Sequence, residues 1–444
     1  MKVLTLEVQN FKKFSLQRFE LHPSFTLLVG DNGSGKTSVL DALAVALGIW
    51  LVEPPDSTLA NSGRPIYDSE IRLEPIRRGD RTLFQEAATG VLVKACGRIE
   101  DRDGVCWTRK INPGGRRTSN ADAQEALEVI RAALDRAKAN EDVLLPVLAY
   151  YGAGRAWLPH HERSKAKARS SGIARRWAAF YDCLNERIRL TDLAGWFRDE
   201  AIAAVNRGGR FRPGYEIVRR AVLRCVPGAD GMWYDGDRQE IVLSISGRAQ
   251  PFGNLSAGQR MMLALVADIA IKTVTQNNFL VPPDVLTAED EPLPRALAQT
   301  PGVVLIDELD VHLHPRWQRR VASDLKRTFP QIQFLCTSHS PQVIGEVLPE
   351  EIRLLDESHT GEHPAHSFGL DSNAVLEEVM GAESRSRDSR DAIDAIEEAL
   401  EIGDLELARS RLQVLKRIQR GTTRDSTRLE ATINNLEALA DAGD

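Results

Sequence analysis

Apolar and polar residues alternate at the beginning of the chain, a pattern typical of a half-buried β-strand. Val3, Leu6 and Val8 belong to that alternation, and the apolar run at 25–29 predicts a second strand. Residues 30–38 form a glycine-rich turn that opens into a helix predicted at 39–51. The chain therefore begins with a strand, loop and helix unit.

The remaining pattern predicts an α/β protein with a mixed sheet. Short apolar bursts at 71–110, between glycines and charged residues, predict an antiparallel sheet beside a parallel core. The almost wholly apolar runs at 303–306 and 334–337 are typical of buried parallel strands. After residue 355 apolar residues recur at helical spacing, which predicts a small helical domain.

Composition narrows the function classes. The chain has 444 residues, with 57 Lys and Arg against 63 Asp and Glu, and a formal net charge of -6. That balance argues against a protein that coats nucleic acid through a generally basic surface. The five cysteines lie far apart and form no CxxC pair, so we expect neither a zinc knuckle nor a disulfide framework. Without a secretory signal or an apolar run long enough to span a bilayer, we expect a cytoplasmic protein with no membrane partner.

Residues 30–37, GDNGSGKT, fit the P-loop pattern GxxxxGK[ST] between a strand and a helix. Its glycines let backbone N–H groups wrap a phosphate, and the helix N-terminus adds partial positive charge. We expect Lys36 to reach the β- and γ-phosphates of ATP and Thr37 to ligate Mg²⁺. An ordinary glycine turn is the alternative. The predicted nucleotide-binding residues here are Gly30, Asp31, Asn32, Gly33, Ser34, Gly35, Lys36, Thr37 and Ser38.

Chemically active side chains follow both of the predicted parallel strands. Asp307 and Glu308 end the run at 303–306 in the Walker B arrangement. We expect Asp307 to hold Mg²⁺ and Glu308 to deprotonate the attacking water as the general base, although two such acids could merely cap a helix. His339, just past 334–337, resembles the catalytic switch histidine that senses the γ-phosphate in ABC ATPases, whereas a lone histidine is usually a polar surface or capping residue.

The segment LSAGQR at 255–260 resembles the ABC signature LSGGQ, with Ala257 in place of the first glycine. Ser256, Gly258 and Gln259, with the helix N-terminus that follows, make an anion site. In the family geometry this site completes the P-loop of another subunit. By itself the segment could be a serine-capped helix start.

These motifs, together with NFKKF at 10–14, resemble the SMC/RecF-type branch of ABC ATPases across most of the chain. The resemblance implies a P-loop NTPase fold of the ABC type, with a mixed sheet, a flanking antiparallel sheet and helices. It implies ATP bound between two copies, with Lys12 or Lys13 near the phosphates. The segment DELDVHLHPRWQ at 307–318 looks like that of OLD-like and PtuA-like ATPases.

Within this resemblance we predict four segments. Residues 1–150 and 241–355 are the two parts of the ATPase, 151–240 is a basic helical insertion, and 356–444 is a C-terminal helical domain. OLD nucleases carry a TOPRIM nuclease domain after the ATPase, but this tail is short and helical, so no nuclease is expected in the same chain. The tail is similar to those of PtuA-like ATPases of Septu and retron antiviral systems, which work with a separate HNH nuclease.

Some residues depart from the family pattern or stay ambiguous. His314 stands at the usual position of the D-loop aspartate, and no Q-loop glutamine is recognised, with 150–155 as the candidate region. His359, His363 and His366 lie close together, but their spacing matches no standard metal site, so we favour a solvated loop.

A group of basic and aromatic residues could form a nucleic-acid face, and a solvated helical surface explains it equally well. The group is Arg155, Trp157, Arg163, Lys165, Lys167, Arg169, Arg175, Arg176 and Trp177.

The leading hypothesis is an ATPase that dimerises around ATP and controls a partner effector, an HNH nuclease of an antiviral defence system. The rival is a stand-alone DNA-repair or chromosome-maintenance ATPase that clamps DNA through the basic insertion. A third hypothesis is a switch protein that binds ATP but hydrolyses it very slowly. Fold alone does not choose between them.

Overall fold

The computed structural model describes residues 1–56, 59, 63–78, 81–87, 89–156, 175–186, 190–286, 292–355 and 361–443. The chain forms two compact units, Met1–Ser372 and Asn373–Asp444. The finer division into four segments stays a prediction.

Strands in the described part of the first unit form parallel and antiparallel sheets. They are β1 (Lys2–Phe11), β2 (Phe14–Glu20), β3 (Phe25–Val29), β4 (Leu73–Arg78), β5 (Arg81–Glu86), β6 (Val91–Ile99), β7 (Arg102–Ile111), β8 (Val147–Tyr151), β9 (Ala229–Asp235), β10 (Glu240–Ile245), β11 (Arg248–Pro251), β12 (Gly302–Ile306), β13 (Ile332–Thr337) and β14 (Ile352–Leu354).

Helices cover the sheets of the first unit and make up most of the second. They are α1 (Lys36–Leu47), α2 (Gln124–Lys138), α3 (Leu190–Asn206), α4 (Pro213–Cys225), α5 (Ala257–Gln276), α6 (Arg295–Gln299), α7 (Pro315–Thr328), α8 (Pro341–Ile344), α9 (Ser372–Ala374), α10 (Arg387–Glu401), α11 (Leu405–Ile418) and α12 (Arg424–Gly443). None of the described helices combines the length and hydrophobicity needed to cross a bilayer.

The central sheet has the strand order β14-β3-β13-β12-β8, and every neighbouring pair is parallel. Strands β3, β8, β12 and β13 are buried along their whole length, which explains their continuous apolar runs. Because the strands are parallel, the loops after β3, β12 and β13 leave the sheet at one edge. The predicted P-loop, Walker B acids and switch histidine follow those three strands.

A second sheet, in the order β2-β1-β6-β7, is antiparallel. Helix α1 contacts strands of both sheets and is buried throughout residues 39–47, as expected for a helix between two layers. It ends at Leu47, earlier than predicted, and a 3₁₀ turn continues to Leu51. Arg109 explains the early end of the helix. Its guanidinium donates a 2.6 Å hydrogen bond to the Val45 carbonyl oxygen, and a Cβ atom on Gly48 would lie 2.4 Å from that guanidinium.

The register of the β6–β7 hairpin corrects the expectation about cysteines. Cys96 lies directly opposite Cys106, and the two side chains form a disulfide. They lie ten positions apart in sequence, and the hairpin register brings them together. The other cysteines, Cys183, Cys225 and Cys336, are buried and form no disulfide bond in the described structure.

The second unit is helical, as the spacing of apolar residues predicts. Helices α10, α11 and α12 pack around a small core. That core contains Ile393, Ile396, Ala399, Ala408, Leu412, Leu415, Leu429 and Ile433.

Candidate functional site

The P-loop between β3 and α1 needs its glycines because other backbone and side-chain atoms approach closely. A Cβ atom on Gly30 would lie 2.3 Å from the Leu355 carbonyl oxygen, and one on Gly35 would lie 2.6 Å from the Phe14 ring. Gly33 and Gly35 also have φ angles of 79° and 106°, which favour glycine. Side chains larger than hydrogen would therefore deform the loop.

Lys36 folds back over the P-loop. Its ammonium group donates to the carbonyl oxygens of Gly30 at 2.7 Å and Asp31 at 2.8 Å. Burial lowers the pKa of Lys36, while the charges of Asp307 and Asp31 act in the opposite direction. Ser34 Oγ is buried in the same loop without a hydrogen-bond partner in the described structure. A phosphate oxygen would supply what both groups need, a buried acceptor.

The other predicted residues of the loop are more open. Asp31, Asn32 and Thr37 are exposed, and Ser38 is half-buried. Asp31, Asn32 and Thr37 are therefore open to solvent, whereas Lys36 is buried beneath the loop.

The two lysines of the NFKKF segment have different partners. Lys13 Nζ donates to the Gly33 carbonyl oxygen at 3.0 Å, which places its charge at the P-loop. Lys12 instead pairs with the buried carboxylate of Asp41 on α1, and its Nζ lies 3.9 Å from Glu70. Of the pair, Lys13 is the lysine that contacts the loop.

Asp307 is held between the P-loop and the strand β13. Its Oδ2 accepts a 3.0 Å hydrogen bond from the Thr37 hydroxyl, and its Oδ1 accepts a 2.6 Å bond from the Thr337 hydroxyl. A hydroxyl and a carboxylate at this distance form the oxygen donor set that Mg²⁺ takes when phosphates complete its shell. Thr37 and Asp307, predicted as metal ligands from far-apart motifs, therefore fit a magnesium ion.

Glu308 has an unusual backbone conformation for a residue with a side chain. Its φ angle is 49°, in the left-handed region that costs about 1–2 kcal/mol outside glycine. Its N–H donates to Thr337 Oγ1 at 2.7 Å, and the N–H of Leu309 donates to the Thr337 carbonyl oxygen at 2.8 Å. The half-buried Glu308 side chain thus leaves the sheet edge beside Asp307.

His339 is half-buried in a loop that is braced from both sides. Ser338 before it donates to the Asp310 carboxylate, and Ser340 after it donates to Gln318 Oε1 at 2.8 Å. The Gln318 amide in turn donates to the carbonyl oxygens of Asp310 at 3.2 Å and Leu313 at 3.0 Å. The loop after Glu308 and the loop of His339 therefore share one hydrogen-bond network.

The predicted signature begins α5. Ser256 is exposed and caps the helix: its Oγ accepts from the Gln259 N–H at 3.3 Å, and its own N–H donates to Gln259 Oε1 at 2.9 Å. Gly258 packs on the loop after Glu308, and a Cβ atom there would lie 2.5 Å from the His312 carbonyl oxygen. The helix start is both an anion-binding geometry and a serine cap, so the two interpretations are compatible.

Two family models match the chain: one described as an AAA domain at residues 5–194, and one described as an AAA domain, putative AbiEii toxin, type IV TA system, at residues 246–345. The first contains the P-loop, and the second contains the signature, the Walker B acids and His339. The Retron Vc95 probable ATPase of Vibrio cholerae serotype O1 biovar El Tor is 24% identical over 403 residues, covering 80% of this chain and 74% of the relative. The chain is a P-loop ATPase.

Two further relatives are similar over smaller shares of their own length. The Septu protein PtuA of Bacillus mycoides (strain KBAB4) is 23% identical to the ATPase, covering 80% of this chain and 41% of the relative. The Retron Ec83 probable ATPase of Escherichia coli is 31% identical over 168 residues, covering 38% and 28%. The chain thus spans less than half of both relatives.

Solved structures of SMC heads also match. The SMC head bound to the C-terminal winged-helix domain of ScpA has a TM-score of 0.43 and 16% identity, covering 78% of the ATPase and 93% of that chain. The SMC head domain from Thermotoga maritima has a TM-score of 0.41 and 14% identity, covering 82% and 97%.

The candidate Q-loop region, 150–155, begins at the end of β8, which pairs with the Walker B strand β12. Tyr150 donates to Asp41 at 3.3 Å, and the Gly152 N–H donates to the Glu186 carbonyl oxygen at 2.9 Å. Burial, followed by the charges of Asp41 and Asp307, raises the pKa of Glu186. Glu186 is therefore an acidic neighbour of the site that no sequence motif indicated.

The predicted nucleic-acid face is not supported by its described members. Trp177 is buried, and the guanidinium of Arg176 is directed to four backbone carbonyl oxygens in the protein. These belong to Val143 at 2.7 Å, Ala137 at 3.1 Å, Glu141 at 3.2 Å and Gln276 at 3.2 Å. The side chains of Arg155, Trp157, Arg163, Lys165, Lys167, Arg169 and Arg175 lie outside the described structure.

No group of three histidine, cysteine or acidic side chains that could hold a metal is found among the described residues. His363 and His366 belong to that part of the chain, whereas His359 lies outside it.

Proposed function

We propose that the ATPase is a nucleotide-controlled switch that closes around ATP as a dimer and governs a partner effector. The observation that carries the hydrolytic part is the position of Asp307, bonded to Thr37 of the P-loop on one side and adjacent to Glu308 on the other. Three separate segments of sequence thus supply a phosphate cradle, a metal ligand and a base at one sheet edge.

In this proposal the P-loop amides, Lys36 and Lys13 bind the triphosphate. Lys36 exchanges the carbonyl oxygens of Gly30 and Asp31 for β- and γ-phosphate oxygens. Thr37 and Asp307 would hold Mg²⁺, which when bound neutralises charge on the phosphate oxygens. Glu308 orients the attacking water and takes its proton, and His339 contacts the γ-phosphate.

The second half of each site comes from another copy of the chain. Ser256 is exposed at the N-terminus of a 20-residue helix, where the partial positive charge of the first turn favours an anion. We infer that Ser256, Gly258 and Gln259 of one protomer approach the γ-phosphate held by the other. ATP closes the dimer, and hydrolysis reopens it.

The partner is proposed from the similarity to retron and Septu proteins and to PtuA-like ATPases. The resemblance to PtuA-like ATPases implies an antiviral system, and we propose that this chain controls an HNH-type nuclease in such a system. The inward orientation of Arg176 and Trp177 makes a DNA clamp built on the basic insertion a less favoured alternative.

Replacing Glu308 by Gln tests the hydrolytic role, because the amide keeps the shape but cannot accept the proton. We expect ATP binding to persist, ATP-dependent dimers to accumulate, and turnover to fall by at least about a hundredfold. Lys36→Ala is the control, since it should lose ATP binding and dimers together. Normal turnover by E308Q would refute the assignment.

Co-purification with the products of neighbouring genes, with and without ATP, tests the partner. A nuclease retained in an ATP-dependent manner supports the proposal. Retention of DNA without a protein partner supports the clamp instead.

A further inference from the structure

Thr337 is fully buried at the end of β13, where the parallel pairing with β12 places it beside the Walker B acids. A β-branched residue in this strand is expected for packing alone. Its hydroxyl, however, points to the polar side of the sheet edge and not into the apolar core.

The Thr337 side chain makes two hydrogen bonds with opposite roles. The hydroxyl donates to Asp307 Oδ1 at 2.6 Å and accepts from the Glu308 N–H at 2.7 Å. Its carbonyl oxygen accepts from the Leu309 N–H at 2.8 Å. One residue thus contacts three consecutive residues of the Walker B segment.

These contacts fix two properties on which hydrolysis depends. Thr37 donates to Asp307 Oδ2 and Thr337 donates to Asp307 Oδ1. Together these two hydrogen bonds fix the rotation of the Asp307 carboxylate. The bonds on both sides of the Glu308 Cα hold its left-handed backbone, a conformation that persists only where the surroundings impose it. A valine in place of Thr337 would keep the packing and remove both side-chain bonds.

We propose that Thr337 is a positioning residue that sets the orientation of Asp307 toward the metal and of Glu308 toward water. This inference rests on the proposed hydrolytic function of Glu308. The buried Thr337 hydroxyl would act as an outer-shell hydrogen-bond partner, which orients a metal ligand without contacting the metal.

The test compares Thr337→Val and Thr337→Ser with Thr26→Val in the intact chain. Thr26 is the matched control, a fully buried threonine of the same sheet whose Oγ1 accepts from the His22 N–H at 2.9 Å. For each folded variant, turnover is measured across Mg²⁺ concentrations, and ATP binding without Mg²⁺ is measured by calorimetry.

We expect T337V to lower kcat by about tenfold to a hundredfold, because misplaced catalytic groups cost that much. Its half-saturating Mg²⁺ concentration should rise by about tenfold, as for lost outer-shell partners. ATP binding without Mg²⁺ should stay within about twofold, and T26V should match the wild type in all three measurements. T337S should recover most of kcat and of the Mg²⁺ response.

Unchanged kcat and Mg²⁺ response in T337V would overturn the inference, as would a T337S variant as impaired as T337V. If T337V does not fold, T337S decides, since it keeps the hydroxyl and loses only a methyl group. Absence of turnover in the wild-type chain would overturn the proposed function itself, a distinct result.

Discussion

Gly258 at the start of the signature helix lies against the backbone of His312, so that a Cβ atom on the glycine would be 2.5 Å from the His312 carbonyl oxygen. His312 has a φ angle of 60° in the loop that follows Glu308. The proposed anion site for a partner's ATP and the loop of the proposed catalytic base, Glu308, therefore touch within one chain.

Gly258→Ala tests this contact. The added methyl must displace either the helix start or the loop, so we expect ATP-dependent dimers and turnover to fall by about tenfold, the equivalent of about 1.4 kcal/mol. ATP affinity of the monomer should not change. Gly236→Ala is the control, because no atom lies within 4 Å of its Cβ position. Dimerisation of G258A equal to that of G236A would count against a tight contact.

Lys36→Ala should weaken ATP binding by at least about tenfold, since the ammonium is the main cation of the loop. Global unfolding is not expected, because the Lys36 ammonium group donates to carbonyl oxygens of the loop itself, those of Gly30 and Asp31. Calorimetry measures the affinity, and a thermal melt provides the control. Wild-type affinity would contradict the P-loop assignment.

Ser256→Arg should leave ATP binding by the monomer intact and block the closed dimer, because a large cation replaces the cap at the proposed interface. Ser386→Arg is a matched control at another exposed helix N-cap, in the second unit. Light scattering with ATP measures the dimer. An S256R dimer as stable as that of S386R would show that this helix start lies outside the interface.

Cysteine reactivity tests the hairpin register and the burial of the core. Burial raises the pKa of both Cys183 and Cys225 to about 12, so little thiolate forms at neutral pH. We expect alkylation of the native, oxidised chain to spare these two and Cys336, and peptide mapping to find Cys96 linked to Cys106. Rapid labelling of Cys183 or Cys225 would contradict the fold at these positions.

Arg176→Ala should lower the free energy of unfolding by about 2 kcal/mol, because partly buried backbone carbonyl oxygens lose a charged donor. Arg198→Ala, which removes an exposed side chain paired with its neighbour Asp199, should change it by less than about 0.5 kcal/mol. Denaturant unfolding measures both. If R176A binds nucleic acid more weakly but is as stable as the wild type, Arg176 belongs to a nucleic-acid-binding face instead.

The sequence predicted what depends on local periodicity and on motif order. Buried parallel strands, the P-loop, the antiparallel sheet and the C-terminal helices each have a pattern that a short window contains. The fold class and the ATPase assignment are confirmed by the family matches and relatives. The roles given to Glu308, His339 and the signature residues stay predictions.

Other features depend on contacts between distant segments, which no window contains. The Cys96–Cys106 disulfide requires the register of a hairpin, and the position of Glu186 requires the backbone pairing at Gly152. Arg176 looked like a surface residue because its partners are backbone carbonyl oxygens, which sequence cannot indicate. Thr337 looked like an ordinary strand residue for the same reason.

Mixing two inactive variants tests the shared site most directly. Lys36→Ala disables the P-loop of the chain that carries it. Ser256→Arg disables the signature segment that a chain contributes to the ATP site of its partner. A heterodimer of the two has one site with both defects and one with neither, so an equal mixture should recover turnover up to about half that of the wild type. Turnover no higher than the sum of the two variants measured apart would show that ATP is hydrolysed within a single chain.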